Sequence, residues 1–244
     1  MKYSVLTASN SNNKIFYKNF LKSLNAQSPL ASELVFINDG IKLKNIKSLI
    51  RQKLKKKIKL IYLDNLFNKG ISKSLNIGFK KCNHKLIFRL DIDDSWYPNH
   101  VKKMLNEFKL NKKFLIYANS SKYFNKGIVD EHLIIDNPTI HSSWLINLFV
   151  IKKRKFKYSS LYPEDYATLS YYYRKGFKYK IINQRTINYN DRKGSFSKKK
   201  LANKDLNEIR IKNAVYYIKK NSYIKLVFDL GILGTLKLLK ILFK

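Results

Sequence analysis

Cysteine is almost missing from this 244-residue chain: Cys82 stands alone, so no internal disulfide framework and no cysteine-built zinc site can form. A reducing, cytoplasmic setting fits that usage. Glycine (8) and proline (4) are scarce as well, and no period of 20 to 50 residues stands out. Neither a solenoid nor a long flexible linker is therefore expected. No apolar run reaches about 18 residues, and the opening "MKYSVLTASN" has neither the apolar stretch nor the cleavage site of a secretory signal. The expectation is a chain that is not membrane-spanning and not secreted by that route. Acid is scarce relative to base, with 16 Asp+Glu against 50 Lys+Arg and a formal net charge of +34. Such an excess suits an anionic partner: nucleic acid, an acidic membrane surface or a phosphorylated substrate. It is equally what a lysine-, asparagine- and isoleucine-rich composition produces with no ligand behind it.

What is present is enough apolar material for a substantial core, 45% hydrophobic with 14% aromatic, and a length that suits one large domain with an appendage. Short β-branched runs alternate with helical periodicity. "YSVLTA" (3–8), "LVFIND" (34–39), "IKLIYL" (58–63), "KLIFRL" (85–90) and "FLIYAN" (114–119) read as strands. Between them Phe16, Phe20, Leu21 and Leu24, a basic segment to about Lys57, and Ile71, Leu75 and Phe79 read as helices, and Pro98 suits the first turn of another. "PEDYATLSYYYRKG" (163–176) carries helix start and stop signals, "YKIIN" (179–183) reads as a strand, "YNDRKGSFSKKK" (189–200) as a basic loop, and the chain from Leu201 as helical to the end. This is an α/β pattern, a mostly parallel sheet wrapped by helices. In such sheets ligands gather beyond the carboxyl ends of the strands, where Thr7 and Ala8, Asp39, and Asp91 to Asp94 all fall.

Three of the few carboxylates stand within four residues, in "LDIDDSWYP", at the end of an apolar run. Carboxylates at a strand-to-loop junction suit magnesium or manganese, hard cations that bridge one or two carboxylates to phosphates. In an extended chain residues two apart point the same way, so Asp91 and Asp93 can address one ligand while Asp94 turns elsewhere. The alternative is an acidic turn, with Asp94 and Ser95 capping the helix entered at Pro98. A calcium loop is disfavoured, because Trp96 and Lys102 stand where its glycine and glutamate belong. "NDG" (38–40) and "NKG" (68–70) are turns on their own, Asn76 is a polar helix residue, and "PED" complements a helix dipole.

The series "SVLTASN", "LVFINDG", "NKGISKSLNIGFKKCNHKLIFRLDIDDSWYP", "HSSWL" and "PEDYATLSYYYRKGFK" resembles the family 2 glycosyltransferases, particularly bacterial enzymes that extend surface polysaccharides. The resemblance covers roughly residues 1–200, which it implies are a Rossmann-like GT-A catalytic domain binding a nucleotide-diphosphate sugar with Mn2+ or Mg2+. It implies that Asp39 recognises the nucleotide base with help from Thr7 and Ala8; Asn68, which opens the most specific block, is assigned to the donor, and Lys69 and Lys73, flanking the start of the 71-to-80 helix, can add positive charge near its diphosphate. Both lysines also suit ordinary solvated surface. It further implies that Asp91 contacts the ribose or sugar and shares the metal with Asp93, and that Glu164 or Asp165 supplies the base that deprotonates the acceptor hydroxyl, with inversion. Members commonly carry a His in "YRxH" after the Glu-Asp helix; here Asn190 and Arg192 stand there, and Arg192 is a candidate for the diphosphate. His141, in "TIHSSWL", matches a polar position on the acceptor side and also suits a hydrogen-bonded structural histidine.

Residues 201–244 are expected to form an amphipathic helical tail. Its stretch 223–244 is rich in Leu, Ile and Phe but broken by Lys225, Asp229, Lys237, Lys240 and Lys244. That is too charged to span a bilayer and suits an anionic membrane surface, or a helix packed on the domain or on a second copy. The resulting expectation is a transferase peripheral on the inner face of the cytoplasmic membrane, acting on a polysaccharide, lipopolysaccharide or lipid-linked glycan. Nucleic-acid binding is the rival that the charge suggests, but no zinc-finger or RNP-like motif accompanies it, so no specific nucleic acid is expected. A phosphotransferase using Asp91 as nucleophile is a third reading, from the likeness of "DIDDS" to the haloacid dehalogenase motif.

Overall fold

The computed structural model describes residues 1–40, 45–121, 132–190 and 203–221. The first four apolar runs become β1 (Ser4–Ser9), β2 (Glu33–Asp39), β3 (Lys59–Asn65) and β4 (Leu86–Arg89). β1 is buried along its whole length, as a parallel strand covered on both faces must be. Alternate residues serve opposite layers. Val5, Leu34, Phe36 and Phe88 pack with Tyr17 and Phe20 of α1 (Lys14–Asn25) and Ile46 and Ile50 of α2 (Ile46–Lys53). Leu6, Val35, Ile37 and Ile87 pack with Leu75 and Phe79 of α3 (Ile71–Lys81). Gly78 lets α3 lie close: a Cβ there would stand 2.7 Å from Leu6 Cδ1 and closer still to Ile37 Cδ1.

The basic helix is shorter than its sequence pattern, ending at Lys53 rather than near Lys57. Asn25 explains the stop, since its Nδ2 donates to Lys53 O at 2.7 Å and its Oδ1 accepts from Lys55 N at 3.0 Å, turning the chain back towards β3.

Downstream come β5 (Ser95–Trp96), α4 (His100–Leu110), β6 (Ile116–Asn119), α5 (His132–Ile135), β7 (Leu145–Asn147), α6 (Glu164–Arg174), β8 (Tyr179–Ile182), β9 (Ile187–Asn188) and α7 (Asn203–Asn221). The main sheet runs β3-β2-β1-β4-β7-β6-β8, and β7 pairs antiparallel with both of its neighbours. β5 and β9 form a separate antiparallel pair. The chain travels outward from β1 to β3 and then returns past β1 to β4. The β1/β4 boundary is thus the switch point where a doubly wound sheet opens a crevice.

The helix expected from Pro98 begins at His100, and Ser95 is spent in β5. The first part of the expected tail, α7, is docked: Asn213 Nδ2 donates to Leu133 O at 2.6 Å and to Ser170 Oγ at 2.9 Å, and Asp205 accepts from Tyr162 N at 3.0 Å. Residues 222–244, which hold the expected membrane-surface stretch, lie outside the described residues. Among the described residues no helix is long and apolar enough to cross a membrane.

Candidate active site

The strand ends at the switch point are cross-tied by side chains. Thr7 is buried and donates from Oγ1 to Leu90 O at 2.9 Å, joining β1 to the end of β4, with Ala8 buried beside it. Asp39, also buried, closes β2; its Oδ1 accepts from Asn65 Nδ2 at 2.9 Å and from the backbone N–H of Lys69 at 2.8 Å. Gly40 follows with φ +79°, and a Cβ there would meet Asn68 N at 2.5 Å and Phe67 C at 2.8 Å, so the turn after β2 and the loop before α3 touch backbone to backbone. Asn68 accepts from Gly70 N at 2.8 Å. Lys69 Nζ stands 5.6 Å from the centre of the Phe67 ring, and Lys73 is exposed on α3.

The acidic cluster is a turn, not an extended run: Asp94 N–H donates to Asp91 O at 3.2 Å, which corrects the expectation that Asp91 and Asp93 align by strand alternation. The capping alternative fails too, because Asp94 is turned inwards, accepting from Asn190 N at 2.8 Å and contacting Ser142 Oγ. Asp91 is partly exposed, with Oδ1 paired to Arg89 and Oδ2 accepting from Ser142 Oγ at 2.8 Å. Arg89 has none of its side chain exposed and also donates from Nη1 to Leu6 O at 3.1 Å and Leu90 O at 2.5 Å. It therefore spans the switch point and neutralises Asp91 from beneath.

One hydroxyl proton cannot serve two carboxylates, yet Ser142 Oγ contacts both Asp91 and Asp94. Burial first, and then the charge of Asp91, push Asp94 up to about 7. Below that pH Asp94 holds the extra proton and donates to Ser142, which passes its own to Asp91. The backbone N–H of Asp91 donates to the same oxygen at 3.1 Å, so Ser142 is fully used.

α6 starts at the Glu-Asp pair. Asp165 accepts from Tyr166 N at 2.7 Å through Oδ1 and from Asn137 Nδ2 at 2.7 Å through Oδ2. Glu164 is buried and faces His141, whose Nδ1 stands 3.6 Å from Glu164 Oε1 and 3.7 Å from Asp91 Oδ2. Burial and then the Arg89 charge hold His141 well below the usual histidine range, so it is neutral and these approaches are not ion pairs. Burial raises both carboxyls of the pair; Asp165 is the next cause for Glu164. Among the described residues His141 Nε2 and the Tyr158 hydroxyl are buried without a hydrogen-bond partner, and their rings meet at 5.6 Å. Asn76 fastens this floor to α3, accepting from Tyr158 N at 2.8 Å and donating to Tyr158 O at 3.0 Å.

Asp91, His141 and Glu164 thus converge from three segments, with Asp93 partly exposed beside them and Thr7, Ala8 and Asp39 on the neighbouring strand ends. Arg192 lies outside the described residues. Among the described residues no group of three or more His, Cys, Asp or Glu could hold a metal unaided. The donor set present, partly exposed carboxylates at a strand end, fits Mg2+ or Mn2+ bound jointly with phosphates. Arg89, Ser142, Asn137 and Tyr158 went unread in the sequence. Only Arg89 left a signal there, a lone charge inside "KLIFRL".

Among known proteins, residues 12–179 match the family described as Glycosyl transferase family 2. An uncharacterized glycosyltransferase of Haemophilus influenzae is 27% identical over 172 residues, covering 70% of this chain and 63% of that protein. The amylovoran biosynthesis glycosyltransferase AmsE of Erwinia amylovora is 29% identical over 86 residues, 35% of this chain and 32% of its own. The chain therefore spans less than two thirds of either relative. In fold it is similar to S. aureus TarS 1-349 in complex with UDP-GlcNAc, at TM-score 0.66 and 18% identity over 89% of this chain and 67% of that one. It is also similar to the mannosyltransferase PcManGT from Pyrobaculum calidifontis in complex with GDP-Man and Mn2+, at TM-score 0.64 and 10% identity over 90% and 63%.

Proposed function

This chain belongs to glycosyl transferase family 2 and has the GT-A fold, and from that premise we propose that it moves one sugar, with inversion, from a nucleotide-diphosphate donor to a polysaccharide or lipopolysaccharide acceptor. A UDP-sugar is the proposed donor, a reading supported by the UDP-GlcNAc held by TarS. The GDP-Man and Mn2+ of PcManGT support the broader class of donor with a divalent cation, and the amylovoran role of AmsE supports a polysaccharide acceptor. The observation that carries the reading is the convergence of Asp91, His141 and Glu164 at the switch point, next to Asp93 and Asp165.

In this reading Asp39 meets the base and Asp91 the ribose or sugar. The two are separated by the spacing of two strands, roughly 10 Å, a span suited to one nucleotide. Asp93 is the proposed metal ligand, since both oxygens of Asp91 are drawn inwards. A bound cation supplies neutralisation of the charge that develops on the diphosphate leaving group. Asn68, Lys69, Lys73 and Arg192 are assigned to the donor. Asp165 takes the proton of the acceptor hydroxyl as its oxygen bonds to the sugar carbon and the nucleoside diphosphate departs; its raised affinity for protons suits a base. Glu164 and His141 shape the acceptor side. Residues 1–200 are assigned the reaction and 201–244 the appendage, whose end places the protein peripherally at the inner membrane face, near a lipid-linked acceptor.

Calorimetric titration of UDP with and without manganese tests the assignment. Asp93→Ala should abolish the manganese-dependent gain in affinity while preserving the melting transition. Equal UDP affinity in variant and wild type, manganese present, would rule Asp93 out.

A further inference from the structure

At the opposite end of the sheet from the crevice, where β1 and β4 begin, the surface holds a cavity of about 450 Å³. A strand's length, roughly 20 Å, separates the two. Its walls bring together Lys2, Lys85 and Lys112 with His84, Phe108 and Phe149, and among the described residues no carboxylate lines it. Glu33 stands behind the lining residue Asn83 with its charge held by hydrogen bonds: its oxygens accept from Ser4 Oγ at 2.6 Å and from Asn83 N and Nδ2 at 2.6 and 2.7 Å.

We propose that this cavity is a second ligand site, for a small phosphorylated molecule that carries a ring able to lie against an aromatic side chain. Two observations select that chemistry. Three lysines line the concavity, with no carboxylate among its described lining residues, a balance of charge that a phosphate matches. Phe149 is 61% exposed and stacks on the buried Phe108 at 6.0 Å and 29°, so most of the ring reaches solvent at the rim. Lys85 already stands over that ring, with Nζ 4.9 Å from its centre, so cation and ring are held together before any ligand arrives. The backbone beneath is firm, since Lys85 O accepts from Leu148 N and Phe149 N donates to Asn147 Oδ1 at 3.0 Å. A nucleobase and a sugar both offer a face to Phe149, and both occur with phosphate. A flat bilayer surface would not enter the concavity.

The test uses the full chain with Asp93→Ala and EDTA, which silences metal-dependent binding in the crevice, so the result does not depend on transferase activity. UMP, glucose 1-phosphate and inorganic phosphate are titrated by calorimetry. At least one ring-bearing probe should bind more tightly than inorganic phosphate, and which one does so identifies the ring. Phe149→Ala and Lys2→Ala/Lys85→Ala should each weaken that probe about three- to tenfold, all three positions being at the surface. Lys55→Ala/Lys56→Ala removes the same charge from an exposed loop elsewhere and should leave it unchanged. Absence of binding, equal affinity for all three probes, or an equal loss in the Lys55/Lys56 control would overturn the site, the last two by showing only general attraction to a +34 chain.

Discussion

Glu164 and Asp165 are neighbours on one helix turn, yet their surroundings differ. Asp165 holds the start of α6 through Tyr166 N and reaches Asn137, while Glu164 is closed in against His141. A purely structural Asp165 would be worth roughly 0.3–1 kcal/mol as a favourable charge at a helix N-terminus, and Asp165→Asn would leave turnover nearly intact. As the general base, it should lose about 10²–10⁴-fold in turnover with UDP-sugar affinity almost unchanged. Steady-state kinetics of Asp165→Asn beside Glu164→Gln decides between them. Loss in the second variant alone transfers the role to Glu164, and activity in both removes the pair from the mechanism.

The decisive element contact is between two loops. The turn after β2 meets the loop before α3 at Gly40, where a positive φ and the approach of Asn68 and Phe67 both exclude a side chain. Asp39 depends on the same meeting, since it accepts from Lys69 N. Gly40→Ala should cost about 1–3 kcal/mol through backbone strain and crowding. It should also weaken UDP binding, because the loop carrying Asn68 and Lys69 must move. Urea unfolding and UDP titration read the two effects separately; a stability loss with unchanged UDP affinity would detach this loop from the donor site.

Across the whole molecule, acid should loosen the fold through His100. Burial holds its imidazole down at about 3, with Nδ1 sharing a hydrogen bond with Thr186 Oγ1 at 2.7 Å and the ring stacked on Trp96 at 4.6 Å. An unfolded histidine titrates near 6.5, so between about pH 6.5 and 3 the unfolded chain binds a proton that the folded chain refuses. Stability falls as pH falls through that window, by up to about 1.4 kcal/mol per pH unit for this one group. His100→Asn should be less stable at neutral pH and show a shallower acid slope, about one proton less between pH 4 and 6; an unchanged slope would refute the assignment. At the other end, deletion of residues 223–244 should reduce sedimentation with anionic liposomes far more than turnover of a soluble acceptor analogue. Loss of the cooperative melt on deletion would instead make that stretch part of the core.

The α/β class, the first four strands and the three helices between them were legible in the sequence because their signals are local: periods of 2 and 3.6 in apolar residues report which faces are buried. The Glu-Asp helix was legible for the same reason, from Pro163 at its start and Gly176 at its end. β7 was not, although it lies inside the sheet between β4 and β6, because three residues, Leu145–Asn147, are too few to show a period. The sequence left Asp91–Asp94 open between an extended run and a helix-capping turn, and could not show a turn drawn inwards, because the partners that bend it, Ser142 and Asn190, stand 48 and 96 residues from Asp94 along the chain. Composition and motif order determined which chemical groups were available. Tertiary structure alone decided which of them meet, since Arg89 beneath Asp91 and His141 beside Glu164 depend on strand order and crossover, and long-range pairing leaves no periodic trace in the residues that make it.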